Sequence, residues 1–244
     1  MKYAAPPQLL IFDLDDTLID TSAIFYAARE SFVAFMSEKG AAEKQTRKVL
    51  AQVEDQNLAR FGYVSERSIV SMRETYELLA QKGKLSPSSN DLRRIATIGG
   101  KGLYAMPRLL PYAKRLLAWC ESRFRLAVIT RGSTALQYAK LSTLGNQHRF
   151  AMVRVVNLKT PDVFSEVAKA LRVRADRCVS IGDSMRFDIL TALEARMHAI
   201  HVVYPNPTIQ WEHDKATGVD HPRLDEVPNL RSVRGLLEDR WGNL

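Results

Sequence analysis

Asp13-Leu14-Asp15-Asp16-Thr17 sets two carboxylates at i and i+2 immediately after the apolar run Leu9-Leu10-Ile11-Phe12. Side chains two residues apart on extended chain project to the same side, so Asp13 and Asp15 can address one reacting group. Far along the chain, Ser180-Ile181-Gly182-Asp183-Ser184 ends a second apolar run and is followed by Asp188. Three or four carboxylates converging at one sheet edge repel one another unless a cation sits among them. Hard oxygen donors and phosphate chemistry favour Mg²⁺ for that place. Phosphate-monoester hydrolysis is among the slowest uncatalysed reactions, with enzymatic accelerations up to about 10²¹-fold. An anionic nucleophile must therefore be brought against an anionic substrate, and a divalent metal with a lysine makes that approach feasible.

Such a site needs strands whose ends meet. Four continuous apolar runs, Leu9-Leu10-Ile11-Phe12, Leu126-Ala127-Val128-Ile129, Cys178-Val179-Ser180-Ile181 and Ala199-Ile200-His201-Val202-Val203, suit strands buried on both faces of a parallel sheet. Residues 152–156 supply a further strand, and helical patterning covers 111–121, 134–144, 161–171 and 187–195. This alternation predicts an α/β fold with a doubly wound parallel sheet. Carboxylates directly after its strands stand where ligands bind in such sheets. Between the first strand and Pro107 the rhythm changes to helices at 22–39, 42–60, 66–82 and 90–98, with breaks at Gly40, Gly62, Gly83 and Ser86-Pro87. The expected organisation is a core of residues 1–18 and 107–244 with an all-helical insertion at 19–106. Gly99-Gly100-Lys101-Gly102 is expected to be a flexible junction where the insertion rejoins the core.

The segment LLIFDLDDTL resembles the opening signature of the haloacid dehalogenase superfamily of phosphohydrolases, an apolar strand followed by D-x-D-x-T. Val128-Ile129-Thr130 is similar to its second motif, Lys159 ahead of the Pro161 helix to its third, and Gly182-Asp183 with Asp188 to its fourth, in the family's order. The resemblance implies a Rossmann-like core with a helical cap inserted after the first strand. It also implies roles. Asp13 is the nucleophile that becomes an aspartyl-phosphate, and Asp15 the acid that protonates the leaving oxygen and then the base that activates water. Thr130 binds phosphoryl oxygens, Lys159 offsets charge, and Arg131 is a candidate substrate-binding residue beside Thr130. Mg²⁺ is held by Asp13, Asp183 and the backbone carbonyl of Asp15, with Asp188 ligating or orienting. Dehalogenases of the superfamily commonly carry Tyr at the position of Asp15, because they need no leaving-group acid.

Three local departures accompany the match. Lys159-Thr160-Pro161-Asp162-Val163-Phe164 is one residue shorter than the common K-P-x-P-x-x-F, Ala195-Arg196 replaces Ala-Gly, and Arg131-Gly132 stands where Asn often follows the Thr. The stretch Thr130-Arg131-Gly132, with Gln137, Lys140 and Trp211-Glu212-His213, resembles a subgroup of hydrolases without an assigned substrate.

The chain has 244 residues, 46% hydrophobic and 25% charged, with net charge +8, and its isoelectric point is near 9.6. Residues 19–106 carry 13 Lys/Arg and 10 Asp/Glu, and the remaining 156 residues carry 22 and 17. The excess is spread at equal density, so no nucleic-acid-binding face is expected; modest steering of anionic metabolites is. No uncharged run reaches the roughly 18 to 20 residues of a membrane span. Cys120 and Cys178 lack metal or redox spacing and are read as buried thiols of a cytoplasmic protein. His201, His213 and His221 lack ligand spacing, Asp16 is a turn residue, and Arg186 is a surface side chain. The expected activity is Mg²⁺-dependent hydrolysis of a small phosphorylated metabolite. A phosphotransferase or mutase with the same aspartyl-phosphate is the alternative, ahead of a non-catalytic binding protein on the same fold and a nucleic-acid-binding module.

Overall fold

A computed structural model describes residues 5–62, 64, 66–81, 88–145, 150–204 and 219–242. Gly83, Ser86-Pro87 and Trp211-Glu212-His213 lie outside them. The chain divides into two compact units, Met1–Thr21 with Pro107–Leu244, and Ser22–Met106.

In the first unit, β1 (Leu9–Phe12), β2 (Arg125–Arg131), β3 (Met152–Val156), β4 (Cys178–Gly182), β5 (His198–Val202) and β6 (Leu224–Val227) form one sheet in the order β3-β2-β1-β4-β5-β6. Every pairing is parallel. The chain winds outward from β1 through β2 to β3, then returns to place β4 on the other side of β1. That reversal opens a crevice at the carboxyl ends of β1 and β4, the usual ligand position in an open α/β sheet.

The pleat explains why the apolar runs are continuous. Leu10, Phe12, Leu126, Val128, Val179 and Ile181 pack on one face with Leu116, Leu117 and Cys120 of α5 (Ala113–Glu121). Leu9, Ile11, Ala127, Ile129 and Cys178 point to the other face with Phe164 and Val167 of α7 (Pro161–Ala170). β1, β2 and β4 bury both of their faces, so apolar residues fill most of their positions on either side of the pleat. Cys120 and Cys178 are free buried thiols, and burial pushes both up to about 12, which keeps them unreactive.

Two elements of this unit escape a search for apolar runs. Strand β6 reads Leu-Asp-Glu-Val and lies at the sheet edge, partly exposed, where acidic residues are tolerated. Helix α9 (Leu230–Trp241) follows it, capped by Asn229, whose side chain accepts from the Ser232 amide. The expected helix at 187–195 is instead a π-helical turn at Met185–Leu190 leading into α8 (Thr191–Glu194). Arg196 ends it in the left-handed region at φ 63°. A non-glycine residue there costs on the order of 1 kcal/mol.

The second unit contains α1 (Thr21–Glu38, beginning one residue before the unit), α2 (Glu43–Phe61), α3 (Arg67–Gln81) and α4 (Ser89–Tyr104). Phe32, Phe35, Met36, Leu50, Val53, Met72, Tyr76, Leu79 and Ile95 form its core. The Tyr76 hydroxyl donates to Asp91 at 2.8 Å and accepts from the Ser88 amide at 3.0 Å, tying α3 to the start of α4. Among the described residues no helix is long and apolar enough to cross a membrane.

Gly99-Gly100-Lys101-Gly102 is not a loose junction: it is the last part of α4. A Cβ on Gly99 would lie 2.7 Å from Ile69 Cγ1, and one on Gly102 would lie 2.7 Å from the Ala28 Cβ. Glycine at i and i+3 lets α4 approach α3 and α1 closely, and that contact outweighs the low helix propensity of the residues. Gly100 faces nothing within 4 Å. Chemical denaturation separates these roles: Gly99→Ala is expected to cost about 1–3 kcal/mol by overpacking. Gly100→Ala is expected to gain about 0.5–1 kcal/mol by removing backbone freedom from a helix interior. A gain from both would mean that the close packing is absent.

Candidate active site

The sheet brings the four motifs to one place. Asp13 follows the last residue of β1, and its amide donates to the Ile181 carbonyl of β4 at 3.0 Å. Phe12 is in register with Val128 and with Ile181, so Asp13, Thr130 and Gly182-Asp183 all emerge at the same sheet edge. Thr130 is fully buried within the end of β2. Lys159 comes from the turn between β3 and α7, which is pinned by the Thr160 side chain capping the helix and by Pro161 in its first turn.

Lys159 Nζ donates to Asp13 Oδ1 and to Asp188 Oδ1, each at 2.5 Å, and all three side chains are nearly sealed from solvent. The shorter spacing after Lys159 therefore does not prevent it from reaching Asp13. Asp13, Asp183 and Asp188 each offer a carboxylate oxygen within 4.8 Å of the others. Asp188 reaches that group because the π-helical turn returns its side chain over the end of β4, where Oδ2 accepts from the Ser184 amide at 3.1 Å. A Cβ on residue 182 would lie 2.4 Å from Asp188 Cβ, Cγ and Oδ2. Only glycine leaves room for the carboxylate there.

Neighbours that the motif reading leaves without roles complete the arrangement. The Thr17 hydroxyl donates to Asp183 Oδ1 at 3.0 Å and accepts from the Asp183 amide at 3.1 Å, which fixes that aspartate from both ends. His201 Nε2 lies 2.9 Å from the Asp183 backbone carbonyl, and its Nδ1 faces Glu226 Oε1 at 2.9 Å. His201 is thus a support of the acidic loop, built by the pairing of β4, β5 and β6. Asp15 accepts at Oδ1 from Thr21 Oγ1 (2.5 Å) and Lys140 Nζ (2.6 Å), and at Oδ2 from Gln137 Nε2 (2.7 Å). Gln137 and Lys140 lie on α6 (Thr134–Leu141). Asp16 takes the left-handed turn expected of it, with φ 58°. The Arg131 guanidinium carbon lies 3.9 Å from the centre of the Phe187 ring, and that of Arg186 lies 5.1 Å away. Lys101 belongs to α4 of the helical unit.

Burial raises the cost of charge throughout this group. It pushes Asp13 up to about 7; the Lys159 ammonium pulls the other way, while Asp188 and Asp15 add to the rise. Asp183 is held well above the usual carboxylate range by burial, then by Asp13, Asp16 and Asp188. Burial also opposes the charge on Lys159, but Asp13 and Asp188 outweigh it and raise its affinity for the proton. Crowded, desolvated carboxylates with one ammonium among them fit a divalent cation held by oxygen ligands: the donor set is hard, and the repulsion within it is relieved by positive charge.

A family profile for haloacid dehalogenase-like hydrolases matches residues 7–196, and the chain belongs to that family. Glyceraldehyde 3-phosphate phosphatase of Methanothermobacter thermautotrophicus is 27% identical over 232 residues, spanning 92% of this chain and 98% of the relative. A haloacid dehalogenase-like family hydrolase from Xanthomonas campestris superposes with a TM-score of 0.78 at 26% identity, over 97% of this chain and 99% of the other. The L-2-haloacid dehalogenase of Xanthobacter autotrophicus, solved with chloropropionic acid covalently bound, shares the fold with a TM-score of 0.61 at 18% identity, over 94% and 99%.

The titration of Asp183 has a definite sign. A carboxyl whose folded value is raised contributes its full stability below the ordinary carboxylate range and loses it as pH climbs. In chelator-treated protein, Asp183→Asn is expected to be more stable than the wild type at neutral pH, with the gap closing as pH falls toward about 4. Urea midpoints across that range measure it, and a gap independent of pH would mean that Asp183 is not crowded as described.

Proposed function

We propose that the protein is a Mg²⁺-dependent phosphatase that hydrolyses a small phosphorylated metabolite through an aspartyl-phosphate on Asp13. The observation that carries this reading is Lys159 shared between Asp13 and Asp188, beside Asp183 and with Asp15 two residues away. The phosphatase names of the relatives, at 25–27% identity, support the same chemistry and supply glyceraldehyde 3-phosphate as the first substrate to try.

Residues 1–18 and 107–244 act as the catalytic core in this reading, and residues 19–106 as its cap. Thr130 donates its hydroxyl to a phosphoryl oxygen, and Arg131 meets a further anionic group of the substrate. Lys159 holds Asp13 in place and offsets the charge that builds as the two anions approach. An Asp13 carboxylate oxygen attacks phosphorus while the bond to the ester oxygen breaks, and that oxygen takes a proton from Asp15. Water then attacks the aspartyl-phosphate, Asp15 accepts its proton, and inorganic phosphate leaves with Asp13 restored. Asp13, Asp183, the backbone carbonyl of Asp15 and Asp188 are the groups suited to hold Mg²⁺, which when bound neutralises charge on the phosphoryl group and the carboxylates. Asp15 separates this chemistry from dehalogenation, where a halide departs without a proton.

Phosphate release from a panel of phosphorylated metabolites, beginning with glyceraldehyde 3-phosphate, tests the proposal. Turnover is expected to require Mg²⁺, to vanish with chelator, and to fall by more than about a thousand-fold in Asp13→Asn. Wild-type turnover by Asp13→Asn would rule out the nucleophile. Turnover only with an added sugar-phosphate acceptor would point to the phosphotransferase.

A further inference from the structure

Asp15 stands on the turn after β1, and two side chains of α6 hold its carboxylate. Gln137 and Lys140 are three residues apart, one turn of the helix, and both are buried. Burying an amide and an ammonium is costly unless they are paired, and the structure spends both on the same carboxylate.

The oxygens of Asp15 are not equivalent. Oδ1 receives two donors, the Thr21 hydroxyl and the Lys140 ammonium, which fill its two lone pairs. Oδ2 receives one, the Gln137 amide, which leaves a lone pair for a proton. The same Gln137 nitrogen has a second hydrogen and donates it to Thr130 Oγ1 at 2.5 Å. With its oxygen accepting from Gln137, Thr130 keeps its own O–H to donate. One amide group thus spaces the proton-carrying oxygen from the hydroxyl and orients both.

We propose that Gln137 and Lys140 are positioning residues for the proton transfer: they direct Asp15 Oδ2 to the leaving oxygen, and Gln137 turns the Thr130 hydroxyl toward the phosphoryl group. This rests on the phosphatase reading above. Neither side chain exchanges a proton with substrate; each acts through Asp15 or Thr130. The step they serve is the first half-reaction, in which the Asp13–phosphorus bond forms, the ester bond breaks, and the proton on Oδ2 passes to the departing oxygen.

The test uses leaving groups that differ in their need for a proton. The quantity kcat/KM reports the steps up to departure of the alcohol, and an alkoxide needs the acid far more than p-nitrophenolate does. Full-length Lys140→Met is expected to lose about tenfold or more in kcat/KM on the best alkyl phosphate of the panel, and less than about threefold on p-nitrophenyl phosphate. Gln137→Met is the second variant, free of any change in charge and therefore tolerant of burial; it is expected to lower the alkyl ester more than the aryl ester, with some loss on both through Thr130. In an Asp15→Asn background, Lys140→Met is expected to bring no further loss, because its route to the reaction is already gone. A merely structural lysine lowers both esters by one factor and lowers them again in that background; either result, or no loss at all, overturns the inference. The two readings fail separately. A wild-type enzyme that releases no phosphate removes the phosphatase and an active Asp13→Asn removes its nucleophile, whereas an unchanged alkyl-to-aryl ratio in both α6 variants removes only the positioning role.

Discussion

Repulsion among buried carboxylates is the constraint to which the rest of the sheet unit answers. Asp13 and Asp188, both buried, meet the half-buried Asp183 at the carboxyl ends of β1 and β4, where burial strips much of the water that keeps such groups apart in solution. Three neighbours answer that problem. Lys159 places an ammonium between two of them, Thr17 ties down the third, and the backbone at Gly182 yields the space that Asp188 occupies. The parallel sheet makes the crowding tolerable because β1, β2 and β4, each buried on both faces, cannot drift to relieve it. A site assembled on loops alone would separate its charges.

The apolar layers are therefore part of the chemistry. Leu9 to Phe12 are fully buried, and their register with β2 and β4 sets where Asp13, Thr130 and Asp183 emerge. Edge strand β6 and helix α9 add Val227, Leu230, Val233 and Leu237 to the core, and β6 also supplies Glu226 against His201, which supports the Asp183 backbone. A contact three strands away from Asp13 is thus linked to the acidic loop through the sheet. The site residues described all lie in the unit of Met1–Thr21 and Pro107–Leu244, while in the helical unit Gly99 and Gly102 serve the close packing of α4.

Asp15 shows a different solution to the placement of a charged side chain. It lies beyond the ladder of strand hydrogen bonds, on a turn that includes a left-handed Asp16. Its carboxylate is oriented from across the site by a helix that starts more than a hundred residues later. Asp13 owes its placement to the strand it follows, and Asp15 owes its placement to α6.

The sequence by itself determined the parallel α/β core, four helices in the insertion and the motif carboxylates at strand ends. Continuous apolar runs, local capping and fixed motif spacings are short-range signals, and they are legible without knowing what packs against what. Tertiary structure alone decided that Gly99 and Gly102 belong inside a helix, because the reason is a neighbouring side chain 2.7 Å from each missing Cβ. It decided that Asp188 turns back on a π-helical segment over Gly182, and that β6, polar by composition, joins the sheet at its edge. It also decided the partners of Asp15. Gln137 and Lys140 are visible in the sequence as polar residues one helical turn apart, but a carboxylate 122 and 125 positions away enters only when β1 and α6 share a fold. Contacts between distant parts of the chain depend on register and packing, which no local pattern encodes.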